Sequence, residues 1–150
     1  MKPYKFNPIK DLDLQIPKDK RREALQAAAD LIKTEMLDYI GEGKSPVSGG
    51  KWIRGLTKEY AKKKSEESGA DFANLELSGD LLDSLSVEAT NSSITIDVGS
   101  DQKDKAEGHL SGLYGEHSRI RPRQFMPQGD QTFKRSIISK LKDLLSDFED

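Results

Sequence analysis

The sequence predicts an α+β domain, an antiparallel β-sheet with a central hairpin flanked by two long amphipathic helices at about 18–40 and 129–148. Two observations carry this prediction. In both long segments apolar residues recur at spacings of three and four, as one face of a helix requires. Between them, Ser84–Thr90 and Ser93–Gly99 alternate apolar and polar positions with the period of two that half-buried strands show. A chain of 150 residues supplies one core, so residues 18–150 are expected to form a single domain and residues 1–17 an extended N-terminal arm.

Taken in order, the arm contains Pro3, Pro8 and Pro17 and alternates loosely, with a short strand expected near Asp11–Ile16. Pro17 stands where a first helical turn tolerates a missing N–H. The first long helix then places Leu25, Ala28, Ile32, Met36 and Tyr39 on one stripe and stops at Gly41-Glu42-Gly43. Residues 41–51 read as a loop. Gly43-Lys44-Ser45 is not a phosphate-binding loop: Pro46 follows it, a helix precedes it, and the earlier glycine is missing. Thr57 is placed to cap a short helix reaching Glu66, and Ser78 to cap a helical turn that sends Leu81, Leu82 and Leu85 to the core. The hairpin sets Leu85, Val87 and Ala89 against Ile94, Ile96 and Val98 across an Asn91-Ser92 turn. A short helix is expected from Asp104 to Leu113, then a glycine-containing loop through Tyr114-Gly115. Prolines make 121–127 extended. The last helix carries Phe133, Ile137, Leu141, Leu144 and Phe148 as its stripe, widened by Ile138 and Leu145.

Composition limits the chemistry. There is no cysteine, which excludes disulfides and thiolate metal sites. No apolar run approaches the roughly 20 residues of a membrane span, and Met1–Pro8 lacks a signal-peptide core, so synthesis in the cytoplasm is expected. His109 and His117 stand too far apart for a helical zinc pair, and no third ligand is evident. No Gly-x-Ser-x-Gly elbow is present, and Glu66/Glu67 lie in an exposed charged run. Neither an enzyme nor a cofactor or metal site is expected. The hydrophobic fraction is 34% and the charged fraction 33%, a lean core under a charged surface. Net charge is only −2, but its distribution is bipolar: six basic residues against Glu59 from Lys51 to Lys64, then nine acids with no Lys or Arg from Ser65 to Asp101. Arg119, Arg121 and Arg123 reverse the sign again. Solvated faces account for such runs, and so does a subunit whose basic face meets an identical neighbour's acidic face and closes into a ring. A different reading gives Arg119–Arg123, Lys134 and Arg135 to nucleic-acid phosphates, with Trp52, Tyr60 and Phe125 as stacking surfaces. The pI of 5.8 and the lack of a reader module oppose it.

The order of segments resembles the phage virion morphogenesis family, the tail-completion or head–tail joining proteins of Mu-like phages. Trp52-Ile53-Arg54-Gly55-Leu56 with Tyr60 and Lys62-Lys63-Lys64 is similar to that family's Trp, Leu and basic stretch. Leu77-Ser78-Gly79-Asp80-Leu81-Leu82-Asp83-Ser84-Leu85 resembles its signature before a hairpin, and Val87–Gly99 resembles the hairpin ending in Val-Gly. Lys105-Ala106-Glu107-Gly108-His109 with Ser111-Gly112 resembles its Ala-x-x-His-x-x-Gly segment, and Arg121-Pro122-Arg123-Gln124-Phe125-Met126-Pro127 its Pro-x-Arg-x-Phe stretch. The likeness covers about residues 45–148. The arm has no counterpart, and Arg-Pro-Arg-Gln-Phe replaces the usual Arg-Pro-Phe. The resemblance implies a structural virion protein at the head–tail junction (tail terminator or neck), made in the host cytoplasm. It implies a ring, commonly sixfold, whose partners are its own copies and tail-tube or connector proteins. It leaves room for incidental contact with packaged DNA and none for a membrane. Candidate interface residues are Lys44, Trp52, Arg54, Asp80, Asp83, His109, Arg119, Arg121 and Arg123. The acids stand as possible partners of the arginines, with the Gly43–Lys51 loop and the 103–123 segment reaching neighbours.

Overall fold

A computed structural model of the chain describes residues 2–50, 80–111, 113–114, 118–119 and 124–149, with backbone alone at 80, 111, 113–114 and 118–119. Thr57, Glu66 and Ser78, with their expected caps, lie outside the described residues.

The fold is α+β. Strands β1 (Tyr4–Phe6), β2 (Ser86–Ala89) and β3 (Ile94–Asp97) form an antiparallel sheet in the order β1-β3-β2. The expected hairpin is present, with Val87 opposite Ile96 and Ala89 opposite Ile94. Its turn closes through Thr90 N–H donating to Ser93 O at 2.8 Å, while Thr90 Oγ1 accepts from Ser93 N–H at 3.1 Å. The third strand corrects the sequence reading. It is Tyr4–Phe6, not Asp11–Ile16, that becomes extended and pairs with β3. Nor is the segment before residue 18 extended throughout. Asn7 Oδ1 accepts from Ile9 and Lys10 N–H, Pro8 occupies the first turn, and Pro8–Asp11 winds into helix α1. Ile9, Leu14 and Ile16 then enter the core.

Helix α2 (Arg21–Gly41) follows a 3-10 turn at Lys18–Lys20. Leu25, Ala28, Ile32 and Met36 are buried as expected, joined by Ala24, Ala29 and Ile40, while Tyr39 is half-buried. The helix ends in a Schellman motif: Gly43, at φ +72°, donates to Ile40 O at 2.9 Å and Lys44 N–H donates to Tyr39 O at 2.8 Å. Helix α3 is the turn Asp80–Asp83, which delivers Leu81 and Leu85 to the core. Helix α4 (Lys103–Ser111) falls where a short helix was expected but ends before Leu113, and Leu113–Tyr114, expected as helix end and loop, forms strand β4 of a two-stranded ladder with β5 (Ser118–Arg119).

Helix α5 spans Arg135–Ser146, starting later than the periodicity suggested. Phe133 is buried and keeps the spacing of Ile137, Leu141 and Leu145, but its backbone is not helical. Other bonds hold that segment: Tyr4 Oη donates to Gln131 O at 2.9 Å, and Lys134 N–H donates to Pro46 O at 2.8 Å. Leu145, not Leu144, completes the buried row. Helix α2 packs on β2 and α5 packs on α2, while the row Lys5, Thr95 and Glu88 makes the sheet's other face polar.

Candidate interaction surface

Register decides what the sheet offers. Because Tyr4 and Val87 both pair with Ile96, and Phe6 and Ala89 both pair with Ile94, these six side chains share one face. The middle row, Lys5–Thr95–Glu88, is on the opposite face. Ile94 and Ile96 are fully buried, whereas Tyr4, Phe6, Val87 and Ala89 are only partly covered. Among the described residues β1 and β2 are the outer strands of the sheet, and each keeps a half-open apolar pair and one exposed charge. Beside this row Lys103 Nζ lies 3.5 Å from Asp97 Oδ2.

A second built feature follows α2. Ser45 is 1% exposed; its Oγ donates to Gln124 O at 2.6 Å and accepts from Val47 N–H at 3.1 Å and Ser48 N–H at 3.2 Å. Gly49 N–H donates to Ser45 O and Ser45 N–H to Gly50 O. The Gly43–Gly50 part of the expected interface loop is thus tied down on the 124 and 134 segments. Gly49, at φ +78°, lies under the Lys134 side chain, and a Cβ there would meet Lys134 Nζ at 2.6 Å.

The expected interface residues fall in different places. Lys44 pairs with Glu42 at 3.2 Å, a largely exposed ion pair of small net worth that a partner's carboxylate could replace. Asp83 is exposed at the end of α3; Asp80 begins the same helix. His109 is half-buried in the last turn of α4. Arg119 stands opposite Leu113 in the small ladder, described by backbone alone. Trp52, Arg54, Arg121 and Arg123 lie outside the described residues, as do Tyr60 and His117. Phe125, expected as a possible stacking surface, is 1% exposed and Met126 beside it is fully buried. That role is overturned: the two side chains anchor the segment to the core before Pro127.

Sequence reasoning missed Ser45, Asn7, Lys5 and Glu88. Asn7-Pro8 carried a usable signal, a side-chain cap followed by proline in the first turn. Lys5 and Glu88 carried none, since only strand register brings both beside Thr95.

A half-open recess of about 280 Å³ lies between α1, the start of α2 and the hairpin turn, with Ile9, Leu14 and Leu25 within it and Lys10, Arg21 and Asn91 around it. Arg21 Nε donates to Ile16 O at 3.1 Å, so its guanidinium is partly committed to the fold. Among the described residues no three of His, Cys, Asp and Glu gather to hold a metal ion, and no helix is long and apolar enough to cross a membrane. Comparison of the chain with protein-family models, curated proteins and solved structures gave no match.

Proposed function

We propose that this chain is a structural assembly protein of a tailed phage, acting in a ring at the head–tail junction as a tail-completion or neck subunit. One observation carries the reading: described segments behind the resemblance occupy distinct structural elements in the family's order. Leu81 and Leu85 come from α3 and its end, Val87–Gly99 covers all of the hairpin but Ser86, Lys105–Ser111 lies in α4, and Phe125-Met126-Pro127 is the buried anchor before α5. A sheet with two outer strands, each bearing one exposed charge and a half-covered apolar pair, suits a subunit completed by neighbours.

Deletion of the gene tests the reading directly. Infectious particles are expected to fall to background while separate heads and tails accumulate, and added purified protein should restore joining. Intact infectious particles from the deletion strain would end the proposal. A mobility shift on DNA that weakens steeply with salt, without any effect on joining, would favour the nucleic-acid reading instead.

A further inference from the structure

We infer that copies of this chain associate head to tail through their sheets, β2 of one copy pairing with β1 of the next, and that Lys5 and Glu88 select this arrangement. The inference rests on the ring reading and specifies its contact.

Strands β1 and β2 each pair antiparallel with β3, so they run in the same direction on opposite sides of it. Repeating the three-stranded unit side by side therefore places β2 parallel to the neighbour's β1. The side-chain rows then continue across the junction. Tyr4–Ile96–Val87 leads to the next Tyr4, Phe6–Ile94–Ala89 to the next Phe6, and Lys5–Thr95–Glu88 to the next Lys5. Neighbouring strands lie about 4.8 Å apart, which brings the Glu88 carboxylate within reach of the incoming Lys5 ammonium. Meanwhile Val87 and Ala89 cover the half-exposed Tyr4 and Phe6 of the adjoining copy.

Charge also disfavours the alternatives. A twofold β1–β1 contact sets Lys5 against Lys5, and a twofold β2–β2 contact brings Glu88 near Glu88. Like charges at cross-strand spacing are destabilising, and a lysine on an edge is a common guard against self-pairing. The heterologous contact matches opposite signs, and heterologous contacts close into rings when the rotation between copies permits. With three residues in β1 and four in β2, the strand contact is far smaller than a standard interface. An isolated subunit should therefore associate weakly, and pairing should consolidate where copies are gathered on a tail or connector.

The chain has no cysteine, so cross-linking is clean. Full-length Pro3→Cys and Ser86→Cys variants, one row along the same face from Lys5 and Glu88 so that both charges stay in place, are mixed, alone and with purified tails, and treated with a short bismaleimide. The mixture should give a covalent dimer that neither variant gives alone, and the double variant should give a ladder of higher oligomers. In parallel, Lys5→Glu or Glu88→Lys should weaken association measured by light scattering about tenfold per contact, and Lys5→Glu with Glu88→Lys should restore it. Both sites are exposed, so circular dichroism should show native folding. If the native chain forms rings but the mixed variants do not cross-link, or one variant cross-links to itself equally well, this contact is overturned while the ring reading stands. A native chain that stays monomeric at high concentration and on tails overturns both.

Discussion

The two long helices have opposite constructions. Helix α2 buries a broad surface in which small and large residues mix, with Ala24, Ala28 and Ala29 fully buried beside Leu25, Ile32 and Met36. Helix α5 buries a single row, Ile137, Leu141 and Leu145, continued by Phe133 ahead of it. The partners explain the difference: α2 has β2 on one side and α5 on another, while α5 packs mainly on α2. Alanines let the backbone of α2 approach two neighbours, and the large side chains of α5 fill the gap from one direction. The central helix should therefore resist added bulk, and the outer one should suffer most from lost bulk.

Leu141→Ala should have the largest effect. Leu141 is fully buried, and truncation at such a site removes about 2–5 kcal/mol of stability. Chemical denaturation checks it, and a loss below 1 kcal/mol would mean that α5 is only loosely laid on α2. Ala29→Leu should come next. Its methyl is fully enclosed, and overpacking costs about 1–3 kcal/mol. Leucine introduced at Ser139, exposed on α5, should be nearly silent. Equal effects at the two positions would erase the contrast between the helices.

The helices are also joined through their loops, and Ser45→Ala probes that link. Its hydroxyl ties the turn after α2 to Gln124 O on the approach to α5. Net loss of such bonding is worth about 0.5–1.5 kcal/mol, and amide exchange should rise at Val47 and Ser48, whose N–H groups the hydroxyl accepts. Unchanged exchange there would show that the turn holds without the side chain.

The same contrast explains what could be read from sequence. Helix α2 was legible at both ends because its stripe is long and Gly43 supplies the positive φ of its cap. The start of α5 was not, since Phe133 keeps a helical spacing while Lys134 N–H bonds to Pro46 O instead of continuing a helix backwards. That bond is non-local, and periodicity carries no information about it. Strand β1 was missed for a related reason: three residues between Pro3 and Asn7-Pro8 have too little pattern, and only β3 makes them a strand. At the candidate surface, the charge runs drew attention to arginines and lysines in loops. Exposed charge specifies sign but not geometry, so Lys5 and Glu88 became visible only through their shared neighbour Thr95.

The smallest expected effect concerns an ion pair between the helices, Lys140 Nζ to Glu35 Oε1 at 2.8 Å. Lys140 is exposed, so the pair is screened by solvent and salt, and Lys140→Met should shift the thermal midpoint less than Ser45→Ala does. Its signature is pH. The hydrogen bond to Glu35 is the main cause that raises the Lys140 pKa above its ordinary 10.5, followed by Glu35's charge. Burial, and secondarily Asp11, raises Tyr4 above 10.0. For both groups the folded state holds the proton more tightly than the unfolded chain. Their contributions are thus fully present below about pH 10 and are lost as pH rises through the raised values. The melting temperature should accordingly fall above pH 10, less steeply in Lys140→Met and less steeply again when Tyr4→Phe is added. Identical alkaline slopes in all three proteins would remove Lys140–Glu35 as a tie between α2 and α5, leaving apolar packing, the Tyr39–Ser136 hydroxyl bond at 3.0 Å and the Ser45 turn to hold the outer helix to the central one.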